Sequence, residues 1–194
     1  MTTQTEQQTV EQLAVSAQAG DAGAFRCLVE RTHPMAFRLA FRLLADDHDA
    51  RDAAQESFIR LWDHLDRYDP TQRFETWFYR IVTNVAMDRL RARKRRWGVF
   101  PRTDRRAIDA ADPSTLESAG ANAELAGIIR TLTDDLPERQ RAVIVLRDLQ
   151  DCSTEEVAEI LGISVASVKT NLHYARARIR SLMQSRFGIR KEDV

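Results

Sequence analysis

The chain has 194 residues, of which 43% are hydrophobic, and its 29 basic and 29 acidic side chains give no formal net charge. That length predicts one or two domains, and a net charge of zero argues against a generic polyanion-binding protein. The first residues lack the basic and apolar regions of a signal peptide, and no stretch approaches the roughly 18 apolar residues that span a membrane. We therefore expect a cytoplasmic protein without membrane insertion.

Helical periodicity begins near the N-terminus. A first helix is predicted from about Val10 to Gly20, and Asp21 is placed to cap the next helix. Pro34 is expected to interrupt or restart helix before a strongly apolar segment at 35–44.

The next segment, 46–69, is acidic, with eight acidic residues against three basic ones. A helix predicted at about 49–65 places its apolar residues inside, Ile59 and Trp62 among them. Four polar side chains project outward: Asp52, Gln55, Glu56 and Asp63. From the residues alone, this face is either a solvated surface, which is the usual case, or a protein interface.

A long helix is predicted from Phe74 to Arg96, after a loop in which Pro70 follows Asp69. One stripe of this helix is apolar, and a second stripe holds Trp77, Arg80, Asn84, Asp88 and Arg91. An aromatic ring, an amide and guanidinium groups on one face suit stacking on bases and holding phosphates. The alternative is that Trp77 belongs to the core and the rest is a solvated face. The end of the helix, 89–96, carries six basic residues and no acid.

Periodicity then disappears, which predicts a flexible linker at 97–122 between a domain at 1–96 and a domain at 123–194. Helical pattern returns at about Ala123 to Leu132. A further helix starts at Pro137 and buries the apolar run 143–146.

The most informative stretch follows, at 153–180. Ser153 and Glu156 form a capping-box pattern ahead of a short helix, and Gly162 supplies a tight turn. Ser164 then caps a second helix whose outer face is polar. Seven basic residues and no acid lie within 165–191. These features predict a helix-turn-helix with a phosphate-facing surface, and an ordinary helical hairpin with a solvated basic face is the alternative.

No strand pattern, internal repeat, glycine-rich phosphate loop or paired-cysteine spacing is present in the sequence. Cys27 and Cys152 match no metal or redox spacing, and each is expected to be a small buried or half-buried residue. We expect no cofactor and no metal, and a protein that acts by binding rather than as an enzyme. The predicted fold class is all-α, with two small helical domains joined by a flexible linker.

Three runs of sequence together resemble the extracytoplasmic-function (ECF) sigma factors of bacterial RNA polymerase. They are DARDAAQESFIRLW at 49–62, FETWFYRIVTNVAMD at 74–88, and LPERQR at 136–141 leading into EEVAEILGIS at 155–164. The resemblance covers roughly residues 21–96 and 123–182. It implies that 1–96 is sigma domain 2 and that 123–194 is sigma domain 4.

The resemblance implies two roles for domain 2. Asp52, Gln55 and Glu56 match positions that bind the core polymerase at the clamp helices of the β′ subunit. Recognition and melting of the −10 promoter element is assigned to a second set: Tyr68, Trp77, Arg80, Asn84, Asp88 and Arg91. Within that set, Tyr68 lies in the base-capturing loop and Asn84 matches the amide that lines the site for an unstacked base.

For domain 4, the resemblance implies that the second helix of the helix-turn-helix enters the major groove of the −35 element. The matching positions are Ala166, Ser167, Lys169, Thr170, His173 and Arg176. Asn171 and Tyr174 depart from the family, because basic residues are common at those two positions. A specific −35 sequence therefore does not carry over to this chain.

The implied partners are the core polymerase (β′ and β), promoter DNA and an anti-sigma factor. Two other classes of protein remain open from the residues alone. One is a dimeric operator-binding regulator with a sensing N-terminal domain, and the other is a helical adaptor without DNA contact.

Overall fold

A computed structural model describes residues 8–97, 127–133 and 136–187, and the structural statements that follow concern these residues. This part contains no strand, which confirms the all-α fold class. Almost all of the predicted linker, from residue 98 onward, lies outside the described residues. The helices are α1 (Val10–Gln18), α2 (Ala22–Leu44), α3 (Asp47–His64), α4 (Phe74–Trp97), α5 (127–133), α6 (Glu138–Ile144), α7 (Thr154–Leu161) and α8 (Val165–Phe187).

The first four helices form the N-terminal lobe, with α2, α3 and α4 packed against one another and α1 packed on α2. Local side-chain chemistry sets the helix starts. Asp21 accepts hydrogen bonds from the backbone N–H groups of Gly23 and Ala24, and Asp46 accepts one from that of Asp49. Each cap satisfies N–H groups that a helix leaves without a partner. The predicted cap at Asp21 is therefore confirmed.

Pro34 neither interrupts nor restarts helix, so that prediction is wrong. It lies inside α2, which runs without a break for 23 residues. A proline within a helix removes the hydrogen bond to the carbonyl four residues earlier, here that of Glu30. Pro34 is on the exposed side of α2, where water can satisfy that carbonyl.

The core of the N-terminal lobe contains a cluster of aromatic rings. Phe78 lies at its centre, with ring centroids 5.1 Å from Phe58 and 5.5 Å from Phe74. A 3₁₀ turn (Leu65–Arg67) follows α3. The amide of Gln18 donates to the carbonyl of Leu65 at 2.9 Å and so ties α1 to this turn.

The second lobe, called the C-terminal lobe, consists of α5 to α8 and contains the predicted helix-turn-helix. Ser153 and Glu156 form the capping box ahead of α7, and the backbone N–H of Ser153 lowers the pKa of the Glu156 carboxyl. Gly162 has φ +61°, the left-handed conformation that glycine adopts without steric cost. The Ser164 hydroxyl accepts from the Ser167 N–H at 3.1 Å and caps α8. Turn and caps are therefore as predicted.

The two lobes are in contact, which the sequence analysis did not predict. α7 packs on α4, and a π turn (Val145–Leu149) after α6 packs on α2. Arg141 of α6 is only 4% exposed and donates to the carbonyl of Leu43 at the end of α2.

The two cysteines differ in their surroundings. Cys27 is half-buried on α2, and Cys152 is buried just before α7. Burial, with the nearby Glu156 carboxylate adding to it, raises the pKa of the Cys152 thiol to about 11. Only the thiolate is an effective nucleophile, and this pKa keeps the Cys152 thiol protonated at neutral pH.

We therefore predict that Cys152 resists thiol reagents in the native protein. With a pKa of about 11, roughly 0.1% of it is thiolate at pH 8. Ellman's reagent at pH 8 should modify one thiol within minutes and the second only after unfolding in guanidinium. Cys27→Ser should abolish the fast reaction and Cys152→Ser should leave it unchanged. Two fast thiols in the native protein would contradict the prediction.

Candidate nucleic-acid and protein interfaces

The outer face of α4 carries the polar stripe predicted from the sequence. Arg80, Asn84, Asp88 and Arg91 are all exposed, at steps of three or four residues. Asp88 accepts from Arg91 at 2.9 Å and lies 3.6 Å from Arg60 of α3. We call these four residues the α4 polar stripe. The Asn84 amide has no hydrogen-bond partner among the described residues, so both its donor and its acceptor are available to a ligand.

Trp77 and Tyr68 lie next to the stripe but are held by the core. Trp77 is half-buried, and its ring centroid lies 5.2 Å from that of Tyr68. Tyr68 is 3% exposed, its hydroxyl donates to the carbonyl of Gln72, and burial raises its pKa. The structure thus brings both aromatic residues together, with Trp77 as the more accessible ring.

The acidic residues of α3 form ion pairs with basic residues of α3 and α4. Glu56 lies 3.1 Å from Arg89 and 2.6 Å from Arg60, and Asp52 lies 3.5 Å from Arg89. Gln55, on the same helix, is exposed. Of the three predicted polymerase-binding residues, two are therefore partly neutralised by the chain itself.

Beside Gln55 lies an open apolar groove between α2 and α3. The prediction that Ile59 and Trp62 lie inside is wrong, because their exposed fractions are 57% and 51%. The Trp62 ring packs edge-on against Phe25 at 4.6 Å. We call this surface the α3 groove, and it is lined by Phe25, Val29, His33, Phe37, Asp47, Arg51, Gln55, Phe58, Ile59 and Trp62.

The α3 groove was not predicted, because apolar side chains on a helix are assigned to the core by default. The spacing of these residues in the sequence could have indicated the groove. Ile59 and Trp62 follow Gln55 at steps of four and three residues, so all three lie on one face of α3.

The outer face of α8 is exposed along its length. Ala166, Lys169, Thr170 and His173 point outward, whereas Ser167 is half-buried and belongs to the cap. Asn171 donates its amide to the Ser167 carbonyl at 2.8 Å, so this donor is already used within the helix.

Arg176, the last of the predicted −35 residues, has a fixed orientation. Its guanidinium forms a two-pronged ion pair with Asp148 of the π turn, at 2.6 and 2.8 Å. These hydrogen bonds raise the pKa of Arg176. Lys169 and Arg178 are exposed on the same helix, which gives this face its positive charge.

Within the described residues, no group of three or more His, Cys, Asp or Glu side chains could hold a metal ion. In the same part of the chain, no helix has both the length and the apolar character to cross a membrane.

Two family models match the chain. Sigma-70 region 2 matches residues 28–96, which hold most of α2 and all of α3, and Sigma-70 region 4 matches residues 126–179. The second match contains the helix-turn-helix. The two matched segments fall on the two lobes.

Whole-chain comparisons agree with these matches. The chain is 36% identical over 172 residues to the ECF RNA polymerase sigma factor SigW of Bacillus subtilis, covering 85% of this chain and 91% of that protein. It is 34% identical over 191 residues to the ECF RNA polymerase sigma-E factor of Escherichia coli K12, covering 92% and 96%. Its structure is similar to that of CnrH in complex with the cytosolic domain of CnrY. That match has a TM-score of 0.69 and 30% identity, and it covers 91% and 97% of the two chains.

The chain therefore belongs to the ECF sigma factors of RNA polymerase. Its class is that of the transcription initiation factors, which the three sequence runs had indicated. The two alternative classes, an operator-binding regulator and a helical adaptor without DNA contact, are excluded, because the relatives that match nearly the whole chain are ECF sigma factors.

Proposed function

We propose that this protein joins the core RNA polymerase, recognises a bipartite promoter and helps to open it, by binding rather than by catalysis. The observation that carries the proposal is that each lobe presents a separate surface suited to nucleic acid. One is the α4 polar stripe, and the other is the outer face of α8. We also infer that the protein acts in the cytoplasm, where the polymerase works, and that the domain boundaries lie near residues 96 and 123.

The N-terminal lobe is assigned to the −10 element. A base leaves its stack only if aromatic packing and edge hydrogen bonds replace what it loses, roughly a few kcal/mol. The free amide of Asn84 supplies the edge contacts, and the half-buried ring of Trp77 supplies apolar surface nearby. Tyr68, packed against Trp77, keeps that ring in place. Arg80 and Arg91 hold the backbone phosphates, and Asp88 orients Arg91.

The contact with the β′ clamp helices is assigned to α3. Asp52, Gln55 and Glu56 provide its polar part, and the neighbouring Ile59 and Trp62 provide its apolar centre. Protein interfaces take most of their binding energy from a few buried aromatic or aliphatic anchors with polar surroundings. An exposed tryptophan beside paired carboxylates fits that arrangement.

The C-terminal lobe is assigned to the −35 element and to a contact with the β subunit. Ala166, Thr170 and His173 face the base edges, and Lys169 and Arg176 face the phosphates. The ion pair with Asp148 holds the Arg176 guanidinium in one orientation, which lowers the entropy lost when it binds a phosphate.

We also propose control by an anti-sigma factor. The similar chain CnrH has been solved in complex with the cytosolic domain of CnrY. An open apolar groove on one lobe offers this chain a surface for such a partner.

Asn84→Ala should impair promoter opening without weakening the contact with core polymerase. Loss of edge hydrogen bonds to one base costs about 1–3 kcal/mol, which is roughly 5- to 150-fold in the extent of melting. Run-off transcription with purified core, together with 2-aminopurine fluorescence in the −10 element, measures this loss. Gln184→Ala removes an exposed amide from the end of α8 and should have no effect. Wild-type melting by Asn84→Ala would remove Asn84 from the proposed site.

Trp62→Ala should weaken binding to core polymerase by about 2 kcal/mol, or roughly 30-fold, because an aromatic anchor is lost. The affinity of fluorescently labelled protein for purified core gives the value directly. Tyr174→Ala, which removes a similarly exposed aromatic side chain from α8, is the matched control. If both variants bind core as tightly as the wild type, the α3 groove is not the polymerase interface.

Lys169→Ala should weaken binding of the assembled holoenzyme to −35 DNA of any sequence and reduce the salt slope of log K by about 1. His173→Ala should instead relax the preference for particular bases and leave the salt slope unchanged. Fluorescence anisotropy at several salt concentrations separates the two effects. An unchanged slope for Lys169→Ala would show that this ammonium group does not contact phosphate.

A further inference from the structure

The segment between α3 and α4 is tied to α1 by a single side chain. Gln18, the last residue of α1, directs its amide nitrogen at three backbone carbonyls of this segment. They belong to Leu65 (2.9 Å), Tyr68 (3.0 Å) and Asp66 (3.2 Å). An amide NH₂ group has two hydrogens, so one of the three contacts is shared. Leu65 and Asp66 lie just beyond α3, where the carbonyls of a helix lack partners and carry partial negative charge.

α1 provides a fixed base for this amide. The helix starts at a capping box, and its Leu13, Ala14 and Ala17 are buried. A donor carried on a packed helix is held more precisely than a donor on a loop. α1 lies before residues 28–96, the part of the chain that matches Sigma-70 region 2, so Gln18 is outside that match.

The loop that follows, residues 68–72, is closed by its own hydrogen bonds, and we keep the name base-capturing loop for it. The backbone N–H of Gln72 donates to the carbonyl of Asp69 at 3.0 Å, which closes a turn with Pro70 at its second position. The Asp69 carboxylate accepts from the backbone N–H and the hydroxyl of Thr71, at 2.9 and 2.8 Å, and these bonds lower the pKa of Asp69. The loop is therefore one small unit, and its orientation depends on what holds its first residue.

That first residue, Tyr68, connects the loop to the proposed base site. Its backbone carbonyl is one of the three that Gln18 holds, and its hydroxyl donates to the carbonyl of Gln72 at the other end of the loop. The centroid of its ring lies 5.2 Å from that of Trp77. Asn84 lies about two turns further along α4 than Trp77. A continuous series of contacts thus runs from the Gln18 amide to the ring that borders the α4 polar stripe.

We propose that Gln18 is a positioning residue for recognition of the −10 element, an inference that rests on the proposed function. Its amide fixes the carbonyls that carry the base-capturing loop, and so sets the position of the Tyr68 and Trp77 rings before DNA binds. A site that is ordered in advance loses less conformational entropy on binding. A loop free to shift would accept different bases more equally, so Gln18 contributes to base discrimination as well as to affinity.

The hydrogen-bond donors of Gln18, rather than its bulk, carry this role. Gln18→Met keeps the length and the apolar stem of the side chain and removes both donors. Gln18→Lys restores donors, because an ammonium group has three N–H groups for the three carbonyls. If Gln18 only filled space, methionine would replace it better than lysine. The order of the two variants therefore separates positioning from packing.

Hydrogen exchange of the free full-length protein, followed by NMR, measures the order of the loop. In Gln18→Met, the amides of Tyr68, Thr71 and Gln72 should exchange about 10-fold faster than in the wild type, because the segment has lost its anchor. Gln18→Lys should exchange within about 2-fold of the wild type. Gln184→Met makes the same replacement at an exposed glutamine of α8 and should leave these amides unchanged. Equal exchange in the wild type and Gln18→Met would overturn the proposal.

Promoter melting by the assembled holoenzyme tests the role in recognition. 2-Aminopurine fluorescence is compared between a promoter that the protein opens and versions of it with one −10 base changed. Gln18→Met should lower the preference for the original base about 5-fold, and Gln18→Lys should restore it. The ratio does not depend on the fraction of folded protein, since unfolded molecules open neither promoter. An unchanged ratio in Gln18→Met would refute the positioning role.

The two experiments distinguish failure of this proposal from failure of the proposed function. The exchange measurement uses neither polymerase nor DNA. If Asn84→Ala impairs melting and Gln18→Met does not, the proposed function stands and the role of Gln18 is wrong. If the wild-type holoenzyme opens no promoter, the proposed function is wrong and so is the recognition role of Gln18. Faster exchange in Gln18→Met would in that case still show that this amide orders the loop.

Discussion

The structure depends on α4 having three different faces. One face carries Phe78, Val82 and Val85 into the core of the N-terminal lobe, where all three are fully buried. A second face of α4 carries Tyr79 and the buried Thr83 and is turned toward the C-terminal lobe. The Tyr79 hydroxyl lies 3.5 Å from the Gln150 side chain of that lobe. The remaining face is the exposed α4 polar stripe. Because successive residues are 100° apart on a helix, the core and the other lobe fix the direction of the polar stripe, and Arg91 of the stripe also pairs with Glu138 of the other lobe.

Local chemistry explains what could be predicted from the sequence. The caps at Asp21 and Ser153 and the left-handed Gly162 depend on interactions that reach only three or four residues along the chain. Such signals can be recognised from the sequence alone, and they determine where most of the helices begin and end. The helix-turn-helix was predictable for the same reason.

The features that the sequence did not predict depend on how the helices pack against one another. Ile59 and Trp62 are apolar, yet α2 and α4 pack on other sides of α3 and leave both side chains exposed. Pro34 is tolerated because it faces solvent, which the sequence pattern does not encode. The contact between the lobes depends on the pairing of arginines with main-chain carbonyls, and carbonyls are present in every residue. No residue pattern could indicate that Leu43 and Ala45 would be their acceptors.

Acidic and basic runs that are separate in the sequence lie next to each other in the structure. In the sequence, the segment 46–69 is acidic and the run 89–96 is basic. Asp52 and Glu56 pair with Arg89, so the two runs neutralise each other across the α3–α4 contact. The α3 surface is consequently more apolar than its composition indicates, and binding there should depend mainly on side-chain burial. Lys169 and Arg178 of α8 lie apart from these pairs and are exposed.

This distribution makes DNA binding conditional on assembly. A few exposed cations on one helix neutralise few phosphates, so at physiological salt the isolated α8 surface is expected to bind DNA weakly. Adding the α4 surface helps only if both sites are held at the spacing of the promoter, because linked sites gain affinity only when the linkage spans them. The free chain instead has its two lobes in contact, with Arg91 of the α4 polar stripe paired to Glu138. The polymerase thus has to supply the spacing at which the two weak surfaces act on the promoter as one site.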